Sequence, residues 1–410
     1  MNKITMGIYV HIPFCMKKCN YCDFLSFTAD DAVKKSYVKA LINEIKSYGQ
    51  LYGKCGSTPV VISSVFFGGG TPSILDSKYI YQIMSALHDC FEISEDCEIS
   101  IECNPGTVSS SKLSDYNHIG INRLSIGLQS TDNNELKALG RIHSFEAFAE
   151  SFKNARKTGF NNINIDIMSA LPGQTISSYK KTLEKVLLFE PEHISAYSLI
   201  IEEGTEFFNA YNNYSPDCGL APLPDEDTER EMYYMTCELL EAKGLNRYEI
   251  SNYSRMGYEC RHNLGYWGRS YYLGFGIGAA SFIDNVRFKN ISDIEKYIDI
   301  CTDLFYETYN VSDNISVSSY YISKLIDKNE LISLSPADEM AEYMYLGLRK
   351  IKGISIKGFF DTFGMKLSEV YGNVLDKHIK YGLISIENDF VALTKKGLDV
   401  SNYILSDFIL

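Results

Sequence analysis

The sequence predicts an α/β fold: a partial, open (β/α)6 TIM-like barrel followed by a smaller, helical, winged-helix-like C-terminal domain. In the first half of the chain, strand-type apolar runs alternate with helix-type runs. In the last part, three helix patterns precede two short strand patterns. Such alternation indicates parallel strands with right-handed crossovers, and six units are too few to close an eight-unit barrel.

Each of the six predicted strands is a short apolar run bounded by turn residues. They lie near Gly7–Ile12, Val61–Phe67, Cys97–Cys103, Asn122–Leu128, Ile163–Met168 and His193–Leu199. Between them, apolar residues recur at helical spacing. These helix patterns lie over residues 33–45, 78–90, 132–139, 145–158 and 177–189. In a barrel of this kind, the loops after the strands carry the chemistry.

The second half reads as a long loop over residues 210–227, a helix over 229–243, and then a separate unit. In that unit, helices are predicted at 337–351, 356–363 and 367–381, and strands at 383–387 and 390–393. We expect three regions: the barrel at 1–230, a barrel extension at 231–310 and a C-terminal domain at 311–410. A winged helix can bind DNA, but acidic and basic residues are nearly balanced here, which favours a packing or docking role.

The 410-residue chain carries 39 basic and 52 acidic side chains, for a net charge of −13. This balance predicts no nucleic-acid partner and disfavours tRNA modification. Residues 1–9 lack the apolar core of a signal peptide, and the longest uncharged stretch, residues 270–283, is shorter than the roughly 18 residues of a membrane span. We therefore expect a cytoplasmic protein without a transmembrane segment, whose eleven cysteines are thiols.

Three cysteines, Cys15, Cys19 and Cys22, fall within eight residues, directly after the first predicted strand. Each iron of a [4Fe–4S] cluster needs one outside ligand, so three thiolates leave one iron open. The methionine end of S-adenosylmethionine (SAM) is a suitable chelate for that iron, and electron transfer could then cleave a carbon–sulfur bond of SAM. Zinc bound with His11 as fourth ligand is the competing interpretation, although zinc sites normally draw ligands from two separated knuckles.

A glycine triplet ends the second predicted strand, in the sequence Gly68-Gly69-Gly70-Thr71-Pro72. Glycines let the backbone approach a ligand closely and expose its N–H and C=O groups. The triplet would lie beside the cysteine loop, where the amino group of SAM needs acceptors. Alone, it is equally well explained as a tight turn.

Four further polar residues lie at or near later strand ends: Glu102, Gln129, Arg141 and Asp166. Carboxylates there suit ribose hydroxyls, and the guanidinium of Arg141 suits a carboxylate. Taken singly, each is more often a solvated or capping residue.

In combination, these motifs resemble the oxygen-independent coproporphyrinogen oxidase-like family of the radical SAM superfamily. The resemblance covers nearly the whole chain and implies a radical SAM barrel with a HemN-type C-terminal domain. It also implies two sets of cofactor-binding residues. The first SAM would be held by Tyr9, Tyr21, Gly69, Gly70, Thr71 and Glu102, and a second SAM-like site would use Gln129, Arg141 and Asp166.

Within that family, two features favour the heme-chaperone branch over the oxidase. Phe24 stands where the oxidase has a further cysteine, and residues 262–267 match the His-Asn-x-x-Tyr-Trp signature of the chaperones. An imidazole is a good axial ligand for heme iron, and aromatic rings offer flat apolar surface to a porphyrin. His262 and Trp267 are therefore candidate heme-binding residues, with Cys260 as the alternative ligand. On composition alone, core aromatics beside a satisfied histidine would explain the segment better.

The resemblance implies a heme chaperone that carries a [4Fe–4S] cluster, SAM and heme and delivers heme to respiratory proteins, with a peripheral position at the inner membrane face. The alternative is an enzyme: a coproporphyrinogen III dehydrogenase, or another porphyrin-modifying or heme-degrading radical SAM enzyme. Oxidative decarboxylation is disfavoured by Phe24, whereas the retained set of Gln129, Arg141 and Asp166 keeps an enzyme open. The sequence assigns no catalytic residue and leaves a homodimer open.

Overall fold

The computed structural model describes residues 4–54, 56, 58–212, 220–308 and 322–409. Two large hydrophobic cores organise them, with a small third cluster of Leu139, Met168, Leu171 and Phe207. The larger core draws on residues 6–325, and the smaller on residues 344–408. The expected boundary after residue 230 falls inside the helix Glu226–Glu241, so it marks no structural division. The expected boundary after residue 310 lies outside the described residues.

Six parallel strands form the centre of the larger unit, and they confirm the six strands predicted from the sequence. They are β1 (Ile4–Ile12), β2 (Val60–Gly69), β3 (Glu92–Cys103), β4 (Arg123–Gln129), β5 (Ile163–Ser169) and β6 (His193–Ser198). Each strand pairs in parallel with the next along the chain. Their carboxyl ends therefore meet at one edge of the sheet.

A helix follows each of the first five of these strands, and a further short helix follows β4. They are α1 (Asp31–Tyr52), α2 (Ser77–Cys90), α3 (Ser110–Ile119), α4 (Asn133–Ala138), α5 (Phe145–Lys157) and α6 (Ile176–Leu187). All were predicted except α3. Each begins at a polar side chain that accepts a hydrogen bond from a first-turn N–H, which satisfies a backbone donor. Among the described residues, none of the helices combines the length and the apolar composition of a membrane span.

The sheet continues beyond the six strands on both sides, which the sequence did not predict. Next to β6 lie the antiparallel strands β8 (Asn252–Ser254) and β7 (Asn246–Arg247). Next to β1 lies β9 (Tyr272–Phe275), in parallel, followed by three antiparallel strands: β10 (Ala280–Ile283), β11 (Val286–Lys289) and β12 (Ile332–Ser333). The helices of this region are α7 (Glu206–Tyr211), α8 (Glu226–Glu241), α9 (Arg261–Trp267) and α10 (Ile294–Thr308).

The two faces of the central strands differ in chemistry. On β1, the alternate residues Met6, Ile8, Val10 and Ile12 are almost fully buried in the apolar core. Successive strand residues point to opposite faces, so the residues between them, among them Tyr9 and His11, face the barrel interior. The interior is polar along most of its depth. Its buried residues include Ser64, Glu98, Ser100, Arg123, Ser125, Asn164, His193 and Ser195.

A buried carboxylate fastens the added strands to α1. Glu44 accepts hydrogen bonds from Gly276 N (2.8 Å), Asn290 Nδ2 (2.6 Å) and Tyr297 Oη (2.5 Å). Burial nevertheless raises the pKa of Glu44 to about 7, because the three donors offset only part of the desolvation. The neighbouring Tyr37 hydroxyl donates to the His11 carbonyl at 2.8 Å, so this anchor reaches the end of β1.

The C-terminal domain confirms the predicted order of three helices and two strands. Its elements are α11 (Pro336–Gly347), β13 (Ile354–Ser355), α12 (Ile356–Phe363), α13 (Leu367–Lys380), β14 (Ile384–Glu387), β15 (Phe390–Leu393), α14 (Lys395–Asp399) and α15 (Ser401–Ser406). The hairpin between β14 and β15 turns at Asn388 and Asp389, which both have positive φ.

Candidate functional site

The cysteine loop leaves β1 at Pro13 and is held at both its base and its tip. At the base, Cys15 N donates to the Phe27 carbonyl at 2.9 Å, and Phe27 N donates to the Pro13 carbonyl at 2.8 Å. At the tip, Asn20 donates from its backbone N to the Leu139 carbonyl at 3.0 Å and from Nδ2 to the Ala138 carbonyl at 2.9 Å. The loop is thus fixed against the end of α4.

A cavity of about 130 Å³ lies beside this loop, at the carboxyl ends of the parallel strands. Most residues singled out from the sequence line it, and Tyr9, His262 and Trp267 do not. The lining includes Cys15, Cys19, Cys22, Tyr21, Gly69, Gly70, Thr71, Glu102, Gln129, Arg141 and Asp166. Residues from five strands thus converge on one place, as expected for a barrel whose chemistry lies at its strand ends. We call this cavity the cysteine pocket.

Gly69 takes a conformation that favours glycine, with φ of 114°. A Cβ at this position would come within 2.5 Å of Cε1 of His11, which is too close for any real contact. Its N–H donates to Oε2 of Glu102 at 3.1 Å. The sequence suggested that the triplet makes room for a ligand, whereas the structure shows that Gly69 also makes room for His11.

Glu102 lies at the end of β3 and faces the same pocket. Burial and the nearby Asp166 carboxylate raise the pKa of Glu102 to about 8, against the lowering effect of the Gly69 N–H. A carboxyl group in this position can accept hydrogen bonds from hydroxyl or ammonium groups of a ligand.

Arg141 crosses the floor of the pocket. Its Nη2 donates to Asn104 Oδ1 at 2.8 Å and to the Gly127 carbonyl, and its Nη1 lies 3.6 Å from Cys19 Sγ. Its buried Nε has no partner within the described residues. A guanidinium held in this way offers a fixed positive charge beside the cysteines and suits a ligand carboxylate.

Gln129 and Asp166 form the far side of the pocket. Gln129 ends β4 with φ of 73°, a conformation that is uncommon for residues other than glycine. Asp166 accepts hydrogen bonds from Asn164 Nδ2 at 2.7 Å and from Ser125 Oγ at 3.3 Å, and burial raises its pKa. The three predicted residues of a second SAM-like site therefore lie together.

The donor set of the pocket fits a cluster better than a single zinc ion. In the described part of the chain, no three His, Cys, Asp or Glu side chains converge on a common metal position. One zinc ion needs such convergence, whereas the cysteines of a [4Fe–4S] cluster bind different irons. Moreover, both ring nitrogens of His11 are engaged: Nε2 with the Leu25 carbonyl at 2.9 Å and Nδ1 with the Tyr9 hydroxyl at 3.2 Å. His11 is therefore not available as a fourth zinc ligand.

A second, larger cavity of about 910 Å³ lies next to the cysteine pocket, and we call it the chamber. Phe24, Gly69 and Glu102 line both cavities. The chamber lies between the barrel mouth, the strands β9 to β12 and the first helix of the C-terminal domain. Its aromatic lining consists of Tyr9, Phe24, Tyr266, Trp267, Tyr272, Phe282 and Tyr345. Pockets for small molecules and cofactors typically measure about 300 to 1,000 Å³.

His262 lies behind the chamber wall. The residue is 4% exposed, and its ring has Nδ1 2.9 Å from Ser64 Oγ and Nε2 2.9 Å from the Tyr266 hydroxyl. Burial, helped by Arg123, lowers the pKa of His262 to about 3, so the ring is neutral. In this conformation neither nitrogen is free to bind heme iron, and an axial bond would require the loss of at least one hydrogen bond.

The neighbours of His262 divide between the core and the chamber. Cys260, the alternative ligand, is fully buried, and burial raises the pKa of its thiol to about 12. Trp267 lines the chamber and stacks on the Arg349 guanidinium, whose carbon lies 4.3 Å from the ring centre. Segment 262–267 thus contributes Tyr266 and Trp267 to the chamber, while His262 supports Tyr266.

Sequence reasoning missed two groups of residues in this region. Asn104 joins Arg141 to Thr71, since its Nδ2 donates to Thr71 Oγ1 at 2.9 Å. Its position directly before Pro105, at the end of β3, could have indicated in the sequence that Asn104 lies at the pocket. The second group is the basic wall of the chamber, which includes Arg287 and Lys289 on β11. The alternation of apolar and basic residues over 286–289 could have indicated that strand.

The comparisons with known proteins agree with this architecture. Residues 9–186 match the radical SAM superfamily, and residues 334–400 match the HemN C-terminal domain. The chain is 33% identical to the heme chaperone HemW of Bacillus subtilis, over 98% of each chain. It is 36% identical to the heme chaperone HemW of Escherichia coli, over 67% of this chain and 69% of that protein.

Among solved structures, coproporphyrinogen III oxidase (HemN) from Escherichia coli, a radical SAM enzyme, has the same fold. The TM-score is 0.81 at 22% identity, over 99% of this chain and 90% of that one. A radical SAM domain implies a [4Fe–4S] cluster and SAM, and the cysteine pocket provides suitable residues for both. The chain belongs to the HemW family of the radical SAM superfamily.

Proposed function

We propose that this protein is a heme chaperone that holds heme in the chamber, next to a [4Fe–4S] cluster and SAM in the cysteine pocket. The observation that carries the proposal is the adjacency of the two cavities, which share Phe24, Gly69 and Glu102. The family supplies the ligand: its HemW members are named as heme chaperones.

The chamber suits a flat apolar ligand. Tyr266 and Tyr272 pack edge to face, with ring centres 4.5 Å apart, and Tyr272 and Phe282 lie next to each other on paired strands. Aromatic rings present broad apolar faces with few rotatable bonds. A porphyrin bound against this wall would bury much of its surface, which the hydrophobic effect favours.

In the cysteine pocket, we assign Cys15, Cys19 and Cys22 to the cluster. When bound, the cluster would supply an electron to SAM. The backbone at Gly69, Gly70 and Thr71, with Tyr21 and Glu102, is proposed to hold the first SAM. Tyr9 was expected to take part, but it faces the chamber, so we assign it to the boundary between the two ligands.

The set of Gln129, Arg141 and Asp166 is proposed to hold a second SAM-like ligand. Arg141 would bind a carboxylate and Asp166 would accept from hydroxyl groups, by the chemistry of their side chains. The close grouping of these residues supports this assignment. It is also the feature that a porphyrin-modifying enzyme would need.

For heme, we propose that Tyr266 and Trp267 contact the porphyrin and that His262 positions Tyr266. Direct ligation by His262 remains the competing assignment. It requires the ring to exchange a hydrogen bond of 2.9 Å for an iron bond. The two assignments differ in the heme spectrum they predict.

The proposal extends to delivery. The heme acceptors would be respiratory proteins at the membrane. This protein would reach them by peripheral association with the inner membrane face. The net charge of −13 supports the absence of a nucleic-acid partner. None of the described helices could span a membrane, which is compatible with peripheral association.

The test is a pair of assays on anaerobically reconstituted protein. Heme is titrated and followed by absorption, and coproporphyrinogen III is then supplied with SAM and a reductant. We expect saturation at one heme per chain and no protoporphyrinogen. Sustained protoporphyrinogen formation would show that the protein is a coproporphyrinogen III dehydrogenase and not a chaperone. Failure to bind heme would also reject the chaperone function.

A further inference from the structure

We propose that Arg269, Arg287 and Lys289 form a carboxylate subsite in the chamber that binds the propionate groups of heme, and that Glu342 occupies this subsite when heme is absent. The inference rests on the proposed heme-binding function and deepens it. It assigns the polar end of the ligand to a particular wall, and it couples ligand binding to the C-terminal domain.

The basic wall is built by β11 and by the turn after α9. Arg287 and Lys289 are two residues apart on β11, so their side chains leave the same face of the strand, and both line the chamber. Arg269 lies in the turn after α9 with φ of 55° and lines the same cavity. Three cations therefore face the chamber, which Asp338 and Glu342 also line.

Arg287 is fixed in a conformation that can grip a carboxylate. Its guanidinium stacks on Phe282 at 4.3 Å from the ring centre, and its Nη1 donates to the Tyr272 hydroxyl at 3.1 Å. These two contacts leave the Nε and Nη2 edge of the guanidinium free to bind a carboxylate in the chamber. A planar guanidinium held in this way binds a carboxylate through two parallel hydrogen bonds.

The carboxylate now in that position is Glu342, from helix α11. Its Oε1 accepts from Arg287 Nε at 2.5 Å, and its Oε2 accepts from Arg287 Nη2 at 2.9 Å and from Arg269 Nε at 3.0 Å. The Glu342 side chain is only 5% exposed. Glu342 therefore shows directly that the two arginines bind a carboxylate inside the chamber.

One cation of the wall is left for a further carboxylate. Arg269 also meets Glu339 at 3.7 Å, and Asp338 lines the same cavity with its carboxylate bonded to Ser335, but within the described residues no carboxylate pairs with Lys289. Lys289 and His11 line the same chamber, so Lys289 lies toward the barrel mouth. Heme carries two propionates, and the wall offers the arginine pair for one and Lys289 for the other.

The hydrogen bonds of Glu342 join α11 of the C-terminal domain to the barrel. A propionate that binds Arg287 must displace the Glu342 carboxylate. Buried charges are costly unless paired, so a propionate in place of Glu342 would keep the arginines satisfied, and the displaced Glu342 would have to turn to solvent. Heme loading would then weaken the attachment of α11 at this point.

The first experiment compares heme with its dimethyl ester on the wild-type protein and needs no variant. Charge-assisted hydrogen bonds of this kind contribute enough that we expect heme to bind at least about tenfold more tightly than the ester. Equal affinity for the two would overturn the propionate subsite while leaving heme binding itself intact. Binding of neither compound would instead reject the proposed function on which the inference rests.

The second experiment uses variants with the same two probes. R287M should weaken heme binding about tenfold and leave the affinity for the ester unchanged. E342Q removes the competing charge and should strengthen heme binding several-fold, again without effect on the ester. R230Q is the control, because Arg230 lies outside the chamber in an exposed pair with Asp227. If E342Q weakens heme binding or leaves it unchanged, Glu342 is not a competitor for the subsite.

Discussion

The hydroxyl of Tyr266 lies 2.9 Å from Nε2 of His262, one turn earlier in the same short helix. Because Ser64 occupies Nδ1 at the same distance, the histidine is fully hydrogen-bonded inside the protein. Tyr266 in turn forms part of the chamber wall. We therefore propose that His262 acts on the chamber by positioning Tyr266.

The first prediction concerns H262A. This change leaves the hydroxyls of Ser64 and Tyr266 without their shared partner, so we expect about 2 kcal/mol loss in the free energy of unfolding and weaker heme binding. If His262 only positions Tyr266, the absorption maximum of bound heme should not move. Y266F, which removes one hydrogen bond but keeps the ring, is the matched control. A shift of that maximum in H262A but not in Y266F would instead show that His262 binds the iron.

The second prediction concerns the cysteines. Anaerobically prepared protein should hold about four iron and four sulfide per chain, since the cysteine loop has three thiols for a cluster with one open iron. C15S, C19S and C22S should each lose this iron. C103S is the control, because Cys103 is buried in the same region but lies in β3 rather than in the cysteine loop. Iron loss in C103S as severe as in C15S would contradict the ligand assignment.

The third prediction concerns Gly69, where a side chain would be disfavoured both by the positive φ and by the close approach of His11. Both Gly69 and Gly204 have positive φ, but a Cβ at Gly204 meets nothing within 4 Å, whereas one at Gly69 strikes His11. G204A should therefore cost only about 1 kcal/mol of backbone strain. G69A should cost more and should also weaken SAM binding, measured by equilibrium dialysis on the reconstituted protein. Similar stability and SAM affinity in the two variants would show that the approach of His11 to Gly69 has no consequence.

The fourth prediction concerns pH. The pKa of Glu44 is raised to about 7 from an ordinary value of 4.5, so folding favours its protonated form. Its contribution to stability is complete below about pH 4.5 and is lost as the pH rises through 7. Wild type should therefore lose stability between pH 5 and 8 relative to E44Q, by up to about 3 kcal/mol. Thermal unfolding at several pH values measures this. A difference between the two proteins that is independent of pH would show that Glu44 stays charged.

Much of the fold could be predicted, because the strands of the barrel have long apolar runs and the helices between them have strong periodicity. The strands at the sheet edges are only two to four residues long and carry little pattern. The glycine-rich run over residues 270–283 is too short for a membrane span, and its pattern predicts no strand. In the structure it forms β9 and β10, whose close approach at Gly274 leaves no space for a Cβ.

The cysteine pocket could also be predicted, because its residues follow successive parallel strands. The chamber could not, since its walls join segments far apart in sequence. Ser64 meets His262 across 198 positions, and Arg287 meets Glu342 across 55. The role of His262 depends on such contacts: the sequence shows a histidine beside aromatic residues, but not that both its nitrogens are already occupied.

The central claim is that heme occupies the chamber, and A280W tests it most directly. Ala280 is exposed on β10 and lines the chamber, so a tryptophan there would fill space that the porphyrin needs. A242W, at an exposed alanine after α8, is the control for adding the same side chain elsewhere. Heme titration of the reconstituted proteins should show at least about tenfold weaker binding in A280W, with wild-type iron content and wild-type binding in A242W. Binding of heme to A280W with wild-type affinity would contradict the account, because heme would then lie outside the chamber.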